Sequence, residues 1–165
     1  MECFIANRQR AKAINTGLVQ QIARTLLADL AIADAELGIN LVGRRQMTRI
    51  NEKFLRHAGA TDVITFSYPD SGRAGHRVPA SVVHGELRPA LRGEIFICVS
   101  EVEIQSRQFS TTWQSEMVRC LIHGILHLLG YDDRRPAARR RMRREEDRCL
   151  RALARKFCLA QIARP

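Results

Sequence analysis

The segment "HGILHLLGYDD", residues 123 to 133, places two histidines four residues apart and closes on a glycine, a tyrosine and two aspartates. On an α-helix, positions four apart share a face, so His123 and His127 can turn their rings toward one centre. Neutral imidazole is a common ligand for zinc-type ions. Met117, Leu121, Ile125 and Leu128 form an apolar stripe on a different face, about half a turn away. The histidines are therefore not needed for the core. Gly130 can adopt the left-handed conformation that ends a helix and reverses the chain, which lets Asp133 swing back toward the histidines. Two histidines and one carboxylate leave an open position for water, the arrangement of a catalytic metal site. Asp132 can orient a ligand or hold the turn. Two histidines at this spacing also occur in ordinary packed helices, and the third ligand has alternatives in water, His76 or His84. Cys120, one turn before His123, ranks behind Asp133 because a buried cysteine is usually a small hydrophobe. Where the metalloprotease motif HExxH carries its general base, this chain has Gly124, which argues against peptide hydrolysis.

The elements that must carry this segment are legible from periodicity. Ile14, Leu18, Val19, Ile22, Leu26 and Leu30 predict a first helix, with a short strand over Cys3 to Ala6 before it. Leu37, Ile39 and Leu41 alternate with smaller or polar neighbours, as in a half-buried strand that Gly43 ends. Met47, Ile50 and Phe54 restart a helical stripe reaching Arg56. "TDVITFS" (61 to 67) and "EIFICV" (94 to 99) are rich in β-branched and aromatic residues and read as strands covered on both faces. Residues 68 to 92, with three of the five prolines, read as a long mobile surface loop. Ser100 with Glu103 has the spacing of a capping box at a helix start. The histidine helix is expected over Thr112 to Leu129. Pro136 opens a last helix with Met142, Cys149, Leu150, Leu153 and Phe157 inward. Together these give one α+β domain over residues 1–165, a small mixed sheet of about four strands with about five helices and the metal site on a central helix.

The segment closely resembles the signature HGxLHLxGYDH of the YbeY endoribonucleases. The resemblance extends over most of the chain: "INEKFLRHAGATDVITFSYP" is similar to the family's asparagine-bearing helix, arginine and PTDVLSFP, and "GEIFICVSEV" to its LGDIxIS segment. Met142 and Glu146 match a methionine and a glutamate of its last helix. The resemblance implies that His123 and His127 are zinc ligands, that Asp133 stands where the family's third ligand is normally histidine, and that Arg56 lies near the active site against the substrate phosphate. Asn51, Thr61, Asp62 and Ser67 are implied to shape the cleft. Two features depart from the family, Asp133 itself and the length of the 68 to 92 loop. A carboxylate partly neutralises the dication and is the harder ligand, so zinc is expected with tolerance for Mn²⁺ or Mg²⁺.

The net charge of +10 fits a polyanionic partner, and nearly all of it is arginine, since lysine occurs only at 12, 53 and 156. "RRPAARRRMRREEDR", residues 134 to 148, reads either as an electrostatic track for RNA or as a solvated helix of an arginine-rich proteome. Aromatic residues make up only 5%, which disfavours a broad base-stacking platform. The five cysteines have no CxxC pair and read as reduced, packed thiols. No apolar run has the length of a secretory signal or a membrane span, so a cytoplasmic protein is expected. The resulting expectation is a zinc-dependent, single-strand-specific endoribonuclease acting in 16S rRNA 3′-end maturation and ribosome quality control, with small-subunit and assembly proteins as partners. Its alternatives are a non-catalytic ribosome-assembly factor with a structural metal, or a metal hydrolase for another substrate. Arg56 is expected to offset charge on the phosphorane and His123 to serve catalysis through the metal, while the general base is open between Asp132 and Glu94.

Overall fold

The computed structural model describes residues 1–68 and 90–164. Strands β1 (Glu2–Asn7), β2 (Ala35–Val42), β3 (Val63–Ser67) and β4 (Leu91–Cys98) form one sheet in the order β1-β2-β4-β3. The first three in that order run parallel, and β3 is antiparallel at the edge. The helices are α1 (Thr16–Asp29), α2 (Arg44–Ile50), α3 (Val99–Gln108), α4 (Trp113–Leu128) and α5 (Pro136–Lys156). The α+β reading with four strands and five helices thus holds among the described residues.

The central contact is between α4 and β4. A Cβ at Gly124 would stand 2.9 Å from both Cδ1 and Cγ2 of Ile95, and one at Gly93 would stand 2.5 Å from the Phe66 carbonyl oxygen and 2.8 Å from Leu128 Cδ2. These distances are too short for any side chain but hydrogen, so the helix lies directly on the strand. Leu121, Ile122, Ile125 and Leu126 of α4 join Leu37, Ile39, Ile95 and Ile97 of the sheet in one buried cluster with the inner faces of α1 and α5. On the opposite sheet face a smaller cluster gathers Val42, Met47, Ile64 and Cys98, bordered by Phe66 and Phe96.

Several boundaries differ from their sequence expectations for identifiable reasons. Asn15 caps α1 by accepting the Leu18 N–H at 3.1 Å, which leaves Ile14 before the helix to bridge to Ala163. Ser100 is not a cap: β4 runs straight into α3, Cys98 stands at the junction without a side-chain cap, and Glu103 bonds Lys12 and Arg107 instead. The helical stripe does run to Leu55, next to Arg56, but only as far as Ile50 as an α-helix; it widens into a π-turn over Asn51–Leu55, with Arg56 left-handed at φ 56°. Asn51 pins the returning chain by donating to the Gly59 carbonyl at 2.8 Å. Only Ile64 of β3 is buried, because the strand is an edge, and the half-buried Arg92, Glu94 and Phe96 of β4 show that its second face is only partly covered. The expected loop overlaps β4, which already begins at Leu91. Residues 69–89 of that loop, with His76 and His84, lie outside the described residues.

If the α4–β4 contact holds the molecule together, filling it must be costly. Gly124→Ala is expected to lower unfolding free energy by about 1–3 kcal/mol. Gly17→Ala, whose Cβ would meet only Asn15 Oδ1 at 3.6 Å, is expected to leave it unchanged or slightly raised. Urea denaturation midpoints of the two variants compare them directly.

Candidate metal centre

The end of α4 is built to return the chain to its own histidine face. Gly130, at φ 88°, donates its N–H to the His127 carbonyl at 2.9 Å, and Tyr131 donates to the Leu126 carbonyl at 3.0 Å. This pair of bonds is the Schellman ending, which satisfies two otherwise free carbonyls. Asp132 then accepts the Arg134 N–H at 3.1 Å, so its carboxylate holds the turn. Arg139 Nε donates to the Asp133 carbonyl at 2.9 Å, tying the loop to the first turns of α5.

Each histidine is fixed through Nδ1. His123 Nδ1–H donates to Glu146 Oε1 at 2.6 Å, and His127 Nδ1–H donates to the Tyr131 carbonyl at 3.0 Å. With both protons on Nδ1, the two Nε2 lone pairs face one centre, 2.9 Å apart. Asp133 Oδ2 completes a triangle, 3.9 Å from His123 Nε2 and 3.8 Å from His127 Nε2. Bonds of about 2.0–2.1 Å in a tetrahedral zinc site separate ligand atoms by about 3.3 Å, and these distances bracket that value. The three residues are the group of donors among the described residues that can hold a metal ion.

Glu146 is the residue that periodicity alone did not assign to the site. It is buried on the inner face of α5 between Met142, Cys149 and Leu153, and a carboxylate at a core position of a charged helix is the signal that marks it. Arg119 Nη1 lies 3.7 Å from Glu146 and 2.8 Å from Asp147, so one guanidinium stands against both carboxylates. Burial disfavours the charged form of His123, but the hydrogen bond and charge of Glu146, with Asp133 and Asp62, outweigh it and hold its pKa above the ordinary histidine value.

The donors open on a cavity of about 450 Å³ between α4 and β3, lined by Leu55, Thr61, Asp62, Val63, Thr65 and Glu116 among others. Thr61 and Asp62 thus stand in its wall as expected, whereas Ser67 is exposed at the far end of β3. Arg56 is exposed, immediately after the lining residue Leu55. Cys120 lines the cavity but stands outside the donor triangle: it bonds Asp62 Oδ2 at 3.8 Å, and burial, with the charges of Asp62 and Glu116, pushes its thiol well above the usual range. Glu94 projects from the sheet face opposite α4, where it accepts from the Tyr68 hydroxyl at 2.7 Å, so it is withdrawn as a general base. Gly124 packs on Ile95, away from the histidine centre, so that position could not carry the protease glutamate even if one were present.

The family model described as Endoribonuclease YbeY matches residues 4–154. The chain belongs to this family. It is 32% identical over 155 residues to a protein of Chlorobium luteolum named Endoribonuclease YbeY, covering 94% of this chain and all of that one. A relative of the same name from Geobacter metallireducens is 30% identical over 148 residues, covering 88% of this chain and 91% of the relative. A Thermotoga maritima protein solved in solution shares the fold, with a TM-score of 0.61 at 22% identity over 94% of this chain and 91% of that chain.

The bond from Glu146 keeps the lone pair of His123 directed at the centre, and removing its charge should weaken metal binding without removing a ligand. Glu146→Gln is expected to lower zinc affinity by about 10–100-fold in chelator competition. Asp133→Ala should lose affinity and Asp133→His retain it. Wild-type affinity in the alanine protein would show that Asp133 is no ligand.

Proposed function

We propose that the protein is a zinc-dependent endoribonuclease that cuts single-stranded RNA, acting in the cytoplasm on ribosomal RNA precursors, in 16S 3′-end maturation and ribosome quality control. The observation that carries this reading is the convergence of His123 Nε2, His127 Nε2 and Asp133 Oδ2 beside an open cavity. Structural zinc sites are closed by four protein ligands, whereas three ligands facing open space suit catalysis, which favours an enzyme over an assembly factor with a metal clip. The cavity is of a size that takes a small ligand or one nucleotide unit. No helix among the described residues is long and apolar enough to cross a membrane.

A divalent cation held there supplies Lewis acidity toward a phosphodiester and lowers the pKa of a water toward neutrality. The chain's own groups do the rest. His123, His127 and Asp133 hold the cation, and Glu146 and the Tyr131 carbonyl keep both imidazoles in the ligating tautomer. Arg56, exposed and next in sequence to the lining residue Leu55, meets the substrate phosphate and offsets the charge that builds on it. Asp132 and Glu94 are not among the lining residues, so proton acceptance is assigned to the carboxylates in the wall, Asp62 and Glu116. The small-subunit RNA and its assembly proteins are the expected surroundings of the reaction.

Cleavage of a structured 16S rRNA 3′ fragment by metal-free, zinc-restored and His123→Ala protein tests the reading. Activity should vanish on metal removal, return with zinc, and stay absent in the folded variant; Arg56→Ala should slow cleavage with metal content unchanged. Equal cleavage by the metal-free, zinc-restored and His123→Ala proteins would point to a contaminating nuclease and end the enzymatic reading.

A further inference from the structure

Two of the three donors, His123 and Asp133, stand in the walls of two cavities. The first, on the β3 side, is lined by Leu55, the neighbour of Arg56. The second, of about 660 Å³, opens between α3, α4 and α5, and it shares Glu116, Arg119 and Glu146 with the first as well as the two donors. The cavities are therefore two limbs of one groove that meet at the metal centre. A strand whose scissile phosphate sits at the metal extends into both. The second limb adds Phe109 from the end of α3, Thr111 from the turn after it, and Arg139 and Arg143 from α5.

Phe109 is the most exposed large apolar side chain among the described residues, at 66%. A bare ring on an arbitrary surface means little, but this one lines the groove that carries the donors. Its backbone is fixed: its N–H donates to the Gln105 carbonyl at 2.9 Å, and the Thr111 N–H donates to the Ser106 carbonyl at 2.8 Å. Phe54, Phe66 and Phe96 meet edge to face, whereas Phe109 has no ring partner among the described residues. The carboxylates of the limb are already engaged. Glu116 accepts from the Thr111 hydroxyl at 2.7 Å, Glu146 faces His123 and Asp147 faces Arg119. Arg139 is held by its Nε on the Asp133 carbonyl. Arg143, one turn further along α5, is exposed and forms no ion pair among the described residues, so its guanidinium is left for an anion that enters the limb. A π face and a guanidinium in a space of this size match one nucleotide, with its base on the ring and its phosphate on the arginine. A base stacked in this way is outside a duplex.

We infer that Phe109 and Arg143 form a nucleotide subsite on the α5 side of the metal centre, where the ring stacks an unpaired base adjoining the scissile phosphate and Arg143 binds the phosphate beyond it. This deepens the proposed function and rests on it for the strand that occupies the groove. Arg56 and Arg143 then hold the strand from opposite limbs, one on each side of the bond that is cut. The ring contacts a base face and no hydrogen-bonding edge, so the subsite accepts any base and favours the larger face of a purine.

The test compares zinc-loaded wild type with Phe109→Ala, Phe109→Tyr and Arg143→Gln, each checked for fold by circular dichroism. Fluorescence anisotropy measures binding to 2′-O-methyl hexaadenylate and to its base-free counterpart of equal charge across a salt series. Phe109→Ala should weaken hexaadenylate binding on the order of tenfold and leave the base-free strand unchanged, and Phe109→Tyr should restore wild-type binding. Arg143→Gln should weaken both strands and flatten the log–log salt slope by about 0.7. Zinc affinity in chelator competition should stay at the wild-type value in all three variants. Wild-type hexaadenylate binding by Phe109→Ala, or an equal loss on the base-free strand, would overturn the stacking contact. An unaltered salt slope in Arg143→Gln would overturn the phosphate contact, and a fall in zinc affinity would make these residues props of the metal centre instead of a subsite. Binding is read without cleavage, so failure of the subsite and failure of the proposed reaction are told apart.

Discussion

Everything at the site depends on how closely α4 can lie on β4. Two positions without side chains, Gly124 on the helix and Gly93 on the strand, remove the bulk that would otherwise hold these elements apart. Once the helix lies on the strand, the direction of its remaining faces is no longer free. Met117, Leu121 and Ile125 enter the core, and the histidines, rotated away from them, look along the sheet toward edge strand β3. The cavity is the space left where the sheet ends and α4 continues. Because β3 is an edge strand, its wall is polar and open: Thr61, Asp62 and Thr65 line it instead of another helix.

The second constraint is electrostatic. Two imidazoles with their Nε2 atoms 2.9 Å apart repel as a pair of cations, and as neutral rings protonated on Nδ1 they turn two lone pairs toward one another. What holds them is a shell of acceptors behind them, a buried carboxylate on α5 and a carbonyl of the loop. Burying Glu146 is costly by itself, and it is tolerated because His123 and Arg119 both stand against it. The same carboxylate therefore serves folding, as the polar link between α4 and α5, and the site, as the group that fixes a tautomer. Asp133 brings a further negative charge to the centre, consistent with a dication as the natural occupant.

Charge elsewhere is sorted by the same packing. The acidic residues of α5 are turned inward or paired, while most of its arginines face out, so a helix with nine basic and three acidic residues presents an almost wholly cationic surface. The net charge of +10 is thus not evenly spread; one face of one helix next to the metal centre carries a concentrated share of it.

Local signals in the sequence determined the order and kind of the elements, the histidine pair, the helix-ending Gly130, and the family through motifs in a common order. Those features depend on spacing along one segment, where helical and strand periods act directly. What only the tertiary structure decided were relations between segments distant in the chain. Glu146 meets His123 across 23 residues, and no periodicity of α5 states which helix its inner face touches. Glu94 and Asp132 were indistinguishable from other acids until sheet pairing turned one to the opposite face and the turn engaged the other. Ser100 lost its cap role because β4 pairing carried the strand without a break into α3, and the edge position of β3 followed from strand order, which hydrophobic content does not encode. Side-chain period tells which residues are buried; the partners they are buried against are set by packing, and the chemistry of this site lies in those partners.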